Sequence, residues 1–409
     1  MAFRLWRSLA GNLPGSEPAV GKLQNLAGVY GTIYLNFDEE IDRSFSDSSR
    51  WAGRGETISL TIGDSDFRMP PAINDALTSR IAHGVLGYDT RPASTIELIT
   101  VRLKELYGWQ IHEDWLVFLP GVVPGLNIGC RTLTSPGDTI ISEVPIYYPF
   151  LAVADNSDRK LARLPAIRVN DRWVFNIDQF QSLASEPGHS ALLLCNPQNP
   201  LGRVLTRNEL LSIAEVCLSE NVIVFSDEIH CDLLFDGHQH YPIAALGPEI
   251  ADKSITLMSP TKAFAISGLG GAFAIIPGEE LRRKFTKATA GIVPGFNAMS
   301  LVAMQAAYGE CDDWLQAELE YLSRNRDYLI DGLKSVPGIK LTSPEAAYFL
   351  WLDFSHSGLN DPYQNLLDAG VELATGNEFG DERFLRLNFA SPKRRLESAL
   401  DRIRTALSN

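Results

Sequence analysis

Short apolar runs alternate with longer amphipathic stretches through the middle of the chain. Each run ends in a loop that carries glycine, proline or polar residues. The runs are Leu116–Leu119, Thr139–Val144, Ala191–Cys195, Val222–Ser226, Ile255–Met258 and Ala272–Ile276. Continuous apolar runs of this length are typical of strands that are buried on both faces. The pattern therefore predicts an α/β protein with a mostly parallel sheet.

Two of the amphipathic stretches carry clear helix start signals. In Thr206–Glu220, Thr206 suits the N-cap position, and Glu209 completes a capping box three residues later. The stretch Pro70–His83 has helical apolar spacing and begins with two prolines, which suit a first helical turn. We expect helices at both places.

The pattern changes after about Pro294, where the strand-and-helix alternation stops. A long helical region, two strand-like runs and a closing amphipathic helix follow, and we place them at Ala298–Val336, Tyr348–Phe354, Phe384–Phe389 and Lys393–Leu407. At 409 residues the chain exceeds what one core usually supports. We predict an N-terminal arm and small-domain segment (1–60, its first ~30 residues extended), a large domain (61–295) and a smaller α+β domain (296–409).

Composition narrows the class of protein. The net charge of −14 argues against a nucleic-acid binder and against binding to anionic membranes. The five cysteines are widely spaced and form no Cys-x-x-Cys pair, which favours a reduced, cytoplasmic compartment. No apolar run is long enough to cross a membrane, and Met1–Leu13 does not read as a signal peptide.

Polar residues follow the apolar runs where each predicted strand ends. Gly121 follows the first run, Asn199 the third, Asp227 the fourth and Lys262 the fifth. In open α/β sheets ligand sites gather beyond the carboxyl ends of the strands. We therefore expect a loop suited to phosphate, an amide, a carboxylate and an amine to meet at one edge of the sheet.

The order of these motifs resembles a known family. The run from Asn196 to Gly202 has the form Asn-Pro-x-Asn-Pro-x-Gly, and Ser-Asp-Glu-Ile-His and Ser-x-x-Lys follow it. Together they resemble the fold-type I enzymes that depend on pyridoxal 5'-phosphate (PLP), the class I/II aminotransferase superfamily. The resemblance covers the chain from about Tyr34 onward. It implies a large domain with a mostly parallel seven-stranded sheet between helices, a smaller α+β C-terminal domain, and a homodimer.

Within that superfamily the chain most resembles the cystathionine β-lyase-like C–S lyases. The segments that carry this resemblance are Ser226–His240, Asp64–Phe67 with Pro70-Pro71, and His83–Tyr88. The resemblance implies C–S β-elimination from cystathionine or another S-substituted cysteine. An aminotransferase, or another PLP-dependent step in a specialised biosynthetic pathway, stays open as an alternative, and so does a PLP-fold regulatory binding protein.

The resemblance implies a role for each polar residue around the cofactor ring. Lys262 would hold the cofactor covalently and then act as the base at the substrate α-carbon. Asp227 would pair with the ring nitrogen, and Asn199 would donate to the ring phenolate oxygen. Tyr147 would stack on the ring, with Tyr148 as a competitor. Where aminotransferases commonly carry a tyrosine this chain has His230, which could contact the same ring oxygen.

Further residues would bind the cofactor phosphate and the substrate. The backbone N–H groups at Gly121, Val122 and Val123, with the Ser259 and Thr261 hydroxyls, would hold the phosphate at a helix N-terminus. Tyr88 would reach the phosphate of the neighbouring subunit. Arg386 would grip the substrate α-carboxylate through two parallel hydrogen bonds.

Two features need separate interpretation, a glycine at a position where the superfamily often has arginine and a group of three histidines. The superfamily often has an arginine on the phosphate eight residues after the lysine, and this chain has Gly270 there. His230, His238 and His240 could suggest a metal site, but they lack a matching carboxylate or thiolate set, so we predict solvated loop histidines and no metal.

Overall fold

The predicted strands lie side by side in one seven-stranded sheet. The computed structural model describes residues 35–89 and 92–407, so the predicted arm over the first ~30 residues lies outside the described part. The strands in chain order are β1 (Ile58–Ser59), β2 (Leu116–Leu119), β3 (Thr139–Val144), β4 (Lys160–Pro165), β5 (Ile167–Val169), β6 (Arg172–Val174), β7 (His189–Cys195), β8 (Ile223–Asp227), β9 (Ser254–Met258) and β10 (Ala272–Ile275). The central sheet has the order β2-β10-β9-β8-β7-β3-β4, in which β10 runs antiparallel to the other six strands. The mostly parallel sheet is confirmed.

Both faces of this sheet are buried, as the continuous apolar runs predicted. Leu193 and Phe225 pack into one hydrophobic core, whereas Leu192 and Val224 pack into another. Successive strand residues point to opposite faces, so the sheet lies between two layers of side chains. The strand that the sequence pattern missed is β4, an edge strand whose residues are mostly exposed or half-buried.

Helices connect the strands and cover the two faces. Their ranges are α1 (Pro71–His83), α2 (Ala93–Tyr107), α3 (Val122–Leu133), α4 (Tyr148–Asn156), α5 (Ile177–Ala184), α6 (Arg207–Ser219), α7 (Pro248–Ala251), α8 (Glu279–Thr289), α9 (Ala298–Glu310), α10 (Asp312–Lys334), α11 (Pro362–Asp368), α12 (Gly376–Phe379) and α13 (Lys393–Leu407). Three short 3₁₀ turns lie at Glu113–Trp115, Ile243–Leu246 and Ser267–Leu269. Both predicted helices form, and the Thr206–Glu209 capping box is present.

The long helical region after Pro294 is two helices rather than one. The chain leaves helical geometry at Cys311, which ends α9 and precedes α10. Asp312 and Asp313 then occupy the first turn of α10, where their charges favour a new helix N-terminus.

A second sheet lies in the C-terminal part of the chain. Its strands are β11 (Lys340–Leu341), β12 (Phe349–Asp353), β14 (Ala374–Thr375) and β15 (Phe384–Asn388), in the antiparallel order β11-β12-β15-β14. The two-residue strand β1 pairs in parallel with β13 (Val371–Glu372), so the chain before residue 60 runs beside the C-terminal part. Both predicted C-terminal strands and the closing helix α13 are confirmed.

The cysteines and the lengths of the apolar helices can be compared with the sequence predictions. All five cysteines are buried and unpaired. Within residues 35–89 and 92–407, no helix is both long and apolar enough to cross a membrane.

Candidate active site

The register of the central strands brings the candidate residues to one edge of the sheet. Cys195 at the end of β7 lies opposite Asp227 at the end of β8, and Asp227 lies opposite Leu257 of β9. The loops that leave these strands begin side by side, and one of them carries Asn199 while another carries Lys262. The predicted convergence of amide, carboxylate and amine is therefore present in the structure.

Lys262 has an amine whose charge is disfavoured by its surroundings. Its Nζ donates a hydrogen bond to the backbone carbonyl of Gly63, which also accepts the hydroxyl of Tyr348 at 3.1 Å. Burial lowers the pKa of Lys262 to about 8, against an opposing effect of the nearby Asp64 carboxylate. An amine with this pKa is half deprotonated near pH 8, so a far larger fraction is nucleophilic near neutral pH than for an exposed lysine.

Asp227 is a buried carboxylate with one hydrogen bond from its own turn. Its Oδ1 accepts from the backbone N–H of Ile229 at 3.1 Å. The pKa of Asp227 is raised to about 7: burial and the charge of Glu228 raise it, whereas the Ile229 hydrogen bond and Lys262 lower it. A buried carboxylate with a raised pKa is stabilised by any cation placed next to it.

Arg386 lies on β15 and has no carboxylate partner among the described residues. Its Nη1 donates to Asn199 Oδ1 at 2.9 Å and its Nη2 to the Thr61 carbonyl at 2.6 Å, while Nε has no hydrogen-bond partner in the described part of the chain. The guanidinium lies between the rings of Phe349 and Phe379, at 4.1 and 4.7 Å from their centroids. Burial lowers the pKa of Arg386 to about 10. A buried guanidinium without a counter-ion is suited to an incoming carboxylate.

His230 is buried, so its prediction as a solvated loop histidine is wrong. Only 3% of the residue is exposed, and among the described residues neither ring nitrogen forms a hydrogen bond of good geometry. Burial lowers the pKa of His230 to about 3, the charges of Lys262 and Arg386 act in the same direction, and a contact with the Pro197 backbone opposes them. The loop turns inward because Leu233 and Phe235, which follow, are core residues. His230 is thus a neutral imidazole with two unused hydrogen-bonding atoms beside Lys262.

His240 is also buried, contrary to the prediction, whereas His238 is half-buried. His240 is hydrogen bonded to Glu228, and no group of three or more His, Cys, Asp or Glu among the described residues is arranged to hold a metal ion.

Tyr147 and Tyr148 differ in exposure. Tyr147 is half-buried, and its backbone N–H donates to the Asn199 carbonyl at 3.0 Å, which fixes it next to the amide. Burial raises the pKa of Tyr147 to about 12. Tyr148 is 51% exposed, and the two rings meet edge to face at 5.0 Å. Of the two, Tyr147 is the one held against the site.

The N-terminus of α3 opens at the same sheet edge. Gly121 is its N-cap residue and no side chain caps it, so the first backbone N–H groups keep their donors for another acceptor. An added Cβ on Gly125 would lie 2.7 Å from Leu257, so glycine is what lets α3 sit close to β9. The helix therefore aims the N–H groups of Val122 and Val123 at the sheet edge.

Ser259 and Thr261 are buried, but their hydroxyls are already engaged. Ser259 Oγ donates to the Gly271 carbonyl at 2.6 Å and lies 2.8 Å from Thr261 Oγ1. An anion at this position would compete with that carbonyl for the serine proton.

Gly270 has a backbone that excludes any side chain. Its φ is +65°, and an added Cβ would lie 2.8 Å from the Pro120 carbonyl. The Gly271 N–H donates to that same carbonyl at 2.8 Å. An arginine at position 270 would be strained and would collide with the loop that starts α3. The missing arginine is thus a property of this loop conformation.

Tyr88 stands apart from the other candidates. It lies beyond the end of α1 and its side chain is fully exposed. None of the described hydrogen bonds or ring contacts joins it to Lys262, Asp227 or Arg386.

Several residues of the site were not singled out by sequence reasoning. Tyr348 and Phe349 precede or begin a strand and read as core residues, and Gly63 lies in a loop without a motif of its own. Their positions next to Lys262 depend on the packing of β12 against β15, which no local pattern encodes.

Comparison with known proteins identifies the family. A family model described as aminotransferase class I and II matches residues 56–403. The chain belongs to that family. This class I/II family member is 35% identical over 387 residues to cystathionine beta-lyase PatB of Bacillus subtilis (strain 168), covering 91% of this chain and 100% of that protein. It is also similar to a crystal structure of OvoB, with a TM-score of 0.89 and 40% identity over 91% of this chain and 99% of that one. The PLP-bound C-S lyase from Staphylococcus hominis gives a TM-score of 0.88 at 30% identity, over 92% and 99% of the two chains.

This member of the class I/II family is a PLP-dependent enzyme, and its residues fit the cofactor. Among the described residues the site offers an amine of lowered pKa, a buried carboxylate of raised pKa, and a helix N-terminus that no side chain caps. His230 adds two buried nitrogen atoms without partners. These are the groups that an aldehyde, a pyridine nitrogen, a phosphate and a phenolate oxygen would need. The whole donor set therefore matches PLP.

Proposed function

We propose that this enzyme catalyses β-elimination from cystathionine or another S-substituted cysteine. The observation that carries the proposal is the juxtaposition of a buried guanidinium without a counter-ion, Arg386, with the lysine and carboxylate of a PLP site. Such a site is suited to an amino acid substrate. The likeness to a cystathionine beta-lyase along almost the whole chain favours elimination over transamination.

Arg386 binds the substrate α-carboxylate in this proposal. Asn199 and the Thr61 carbonyl hold two of its nitrogen atoms, and the rings of Phe349 and Phe379 fix its plane. Because the guanidinium is oriented before substrate arrives, little side-chain entropy is lost on binding.

Lys262 has two tasks. Its amine would hold the cofactor covalently, and the free amine would take the proton from the substrate α-carbon. The bound cofactor supplies a ring that withdraws the electron pair left when the α-C–H bond breaks. Departure of the thiolate from the β-carbon then completes the elimination, and water converts the remainder to pyruvate and ammonia.

The ring of the cofactor is held by Asp227, Asn199, His230 and Tyr147. Asp227 would pair with the ring nitrogen, whose positive charge would stabilise this buried carboxylate. Asn199 uses its Oδ1 for Arg386, so its amide N–H₂ is the end that donates to the phenolate oxygen. His230, neutral and unpartnered, is a second donor to that oxygen, and Tyr147 stacks on the ring.

The phosphate and the subunit arrangement form the last part of the proposal. The N–H groups at Gly121, Val122 and Val123 bind the phosphate, with Ser259 and Thr261 beside them. We propose a cytoplasmic homodimer in which Tyr88 reaches the phosphate of the partner subunit. Exposed apolar side chains support an interface near Tyr88, because Val85 and Leu86, which precede it, are 62% and 59% exposed.

Incubation of the purified holoenzyme with cystathionine, S-methylcysteine and cystine tests the reaction. We expect pyruvate and a free thiol or persulfide, one pyruvate for each carbon–sulfur bond broken. Conversion of the cofactor to its amine form, reversed by a keto acid and without pyruvate, would instead make the enzyme an aminotransferase. A bound cofactor with neither reaction would favour a regulatory binding protein.

Mixing two inactive variants tests the proposed dimer. Tyr88→Ala lacks the tyrosine and Lys262→Ala lacks the lysine, and a mixed dimer holds one site with both residues intact. Statistical re-association should then restore about a quarter of the wild-type activity, since half of the dimers are mixed and each has one good site. No recovery, with mixed dimers shown by mass spectrometry, would contradict the exchange of Tyr88.

A further inference from the structure

A buried glutamine side chain joins two segments of the candidate active site. Gln198 lies in the loop that carries Asn199, and only 3% of the residue is exposed. Its Nε2 donates to the Pro145 carbonyl at 2.6 Å, two residues before Tyr147, and its Oε1 accepts the Leu201 N–H at 2.8 Å. The roles proposed above do not use this glutamine.

The Pro145 carbonyl depends on this donor. Pro145 is buried, and the residue four positions later, whose N–H would be the donor in a helix, is Pro149, which has no N–H. Among the described residues, the side chain of Gln198 is the hydrogen-bond donor to this carbonyl. A buried carbonyl without a donor is unfavourable, so the contact holds the two segments together.

The backbone of its own loop fixes Gln198 in place. Its N–H donates to the Arg203 carbonyl at 2.8 Å, and its carbonyl accepts the Gly202 N–H at 2.8 Å. Gln198 and Arg203 form an antiparallel bridge, so the loop turns back on itself between them. Because the backbone and both ends of the side-chain amide are hydrogen bonded, the side chain has little freedom to move.

A second hydrogen bond joins the same two segments. The Tyr147 N–H donates to the Asn199 carbonyl at 3.0 Å. The Ile146 N–H, one residue earlier, donates to the Phe379 carbonyl at 2.9 Å and does not reach the Asn199 loop. A single bond would let the two segments rotate about it, whereas two bonds fix their relative orientation. The angle between the Tyr147 ring and the Asn199 amide therefore depends on Gln198.

We propose that Gln198 is a positioning residue that holds the Tyr147 ring and the Asn199 amide in the relative geometry that the cofactor ring requires. Tyr147 would stack on the face of the ring and Asn199 would donate at its edge, so both contacts must fit one rigid plane. Gln198 acts through these two residues, since its own amide is used by Pro145 and Leu201. The inference rests on the roles proposed above for Tyr147 and Asn199, and it holds for elimination and transamination alike.

Gln198→Met tests the proposal, because it keeps the length of the side chain and removes both of its hydrogen bonds. Visible circular dichroism of bound PLP reports the asymmetric surroundings of the ring, and titration of the apoenzyme gives the dissociation constant for PLP. We expect an altered dichroism band and a dissociation constant about tenfold higher, the effect of one lost hydrogen bond. Gln181→Met is the matched control. It removes a glutamine hydrogen bond to Glu220, which precedes β8 and lies at the opposite end of that strand from Asp227, so it should alter neither quantity.

Tyr147→Ala separates the failure of this inference from the failure of the underlying assignment. If Tyr147→Ala alters the dichroism and the affinity but Gln198→Met alters neither, Gln198 does not position the ring and the proposal is wrong. If Tyr147→Ala itself has no effect, the role of Tyr147 is refuted, and the inference is refuted with it.

Gln198→Glu distinguishes positioning from the filling of space. The introduced carboxyl can still accept the Leu201 N–H, but it donates to the Pro145 carbonyl only while it is protonated. The difference in dichroism from the wild type, measured between about pH 6 and 9, should therefore be small at low pH and grow as the pH rises. The nearby charge of Glu143 should raise the midpoint and that of Arg203 should lower it. A difference that does not vary with pH would contradict the proposal.

Discussion

Two groups of buried charges in this enzyme are built in opposite ways. The catalytic group consists of Lys262, Asp227 and Arg386. The arginine–aspartate cluster, which we define as Arg43, Arg50, Arg395, Asp64 and Asp66, lies at the start of the described chain and at its C-terminal helix. In the cluster every charge has an opposite charge beside it, whereas in the catalytic group Arg386 has none among the described residues.

Ion pairs and a serine hydroxyl together stabilise the charges of the arginine–aspartate cluster. Arg43 contacts Asp64 at 2.7 Å and Asp66 at 2.8 Å, and Arg395 contacts Asp66 at 2.9 Å. Burial alone would raise the pKa of Asp66, but the charges of Arg50 and Arg395 and the Ser391 hydroxyl hold it below its ordinary value. Loss of one partner would leave a buried charge uncompensated, which makes such a cluster necessary for stability.

The difference indicates where ligand atoms belong. A folded protein rarely buries a charge or a polar atom without a partner. Several buried side-chain atoms of the described residues have no hydrogen-bond partner, including both carboxylate oxygens of Glu318, and those of Arg386 and His230 lie around Lys262. At Arg386 and His230 the missing partners are ones that substrate and cofactor can supply.

The largest effect should come from Lys262→Ala. The variant cannot attach the cofactor or move the α-proton, so we expect loss of the absorption band of lysine-bound PLP and at least a ~10³-fold fall in activity. Spectra and steady-state rates measure both. Lys340→Ala, at an exposed lysine on β11, is the matched control and should resemble the wild type. A wild-type band in Lys262→Ala would rule out this lysine.

The next two predictions compare Arg386 of the catalytic group with Arg50 of the arginine–aspartate cluster. Arg386→Ala removes a charge that only substrate would pair with, so kcat/KM should fall by about 10²- to 10³-fold through loss of charged hydrogen bonds. PLP affinity and the melting temperature should change little. Titration with substrate and with cofactor separates the two affinities, and an equal loss of both would contradict the assignment.

Arg50→Ala should show the reverse. It removes one of the charges that Asp64 and Asp66 share, so the free energy of unfolding should fall by about 3 kcal/mol. KM of the folded enzyme should stay close to that of the wild type. Urea unfolding at constant protein concentration measures the change. If Arg50→Ala raises KM as much as Arg386→Ala does, the two groups do not differ in the way described.

The sequence predicted some residues of the catalytic site much better than others. Asp227 and Lys262 follow apolar strands directly, and parallel strands end at a common edge, so local pattern and sheet geometry were enough to place them together. Arg386 could be assigned only by resemblance, because alternation along β15 does not say which face meets Asn199. The burial of His230 and His240 was missed, since loop composition does not reveal that Leu233 and Phe235 anchor the segment in the core.

A smaller effect concerns the pH dependence of PLP uptake. It tests the contact between the two groups, which is the effect of Asp64 on Lys262. Asp64 belongs to the arginine–aspartate cluster, yet its charge favours the protonated form of Lys262. Below about pH 8 the amine is protonated and cannot attack the aldehyde, and above it the free amine can. The rate of PLP uptake by the apoenzyme should therefore rise with pH to a plateau, with a midpoint near 8.

Asp64→Asn removes the charge that holds the proton on Lys262. The midpoint of PLP uptake should move to lower pH, so that uptake at neutral pH becomes faster. Stopped-flow absorbance between pH 6 and 10 follows the reaction. Asp75→Asn, at an exposed position on α1, should leave the midpoint where it is. A shift to higher pH in Asp64→Asn would show that its effect on Lys262 is not electrostatic.

The smallest effect provides a scale for changes outside both groups. Thr206 caps α6: its Oγ1 accepts the Glu209 N–H at 3.3 Å and donates to the Glu209 carboxylate at 2.7 Å. Thr206→Ala should cost about 1 kcal/mol, because one helical N–H loses its partner. In a protein of this size that corresponds to a fall in melting temperature of roughly 1–2 °C. Thr206→Ser keeps the hydroxyl and should recover most of the loss.

Activity and PLP uptake should not change in either variant, since α6 lies between β7 and β8 in the chain and the cap contacts none of the catalytic group. If Thr206→Ala destabilised the enzyme as much as Arg50→Ala, the large effect expected of the arginine–aspartate cluster could not be attributed to its buried charges.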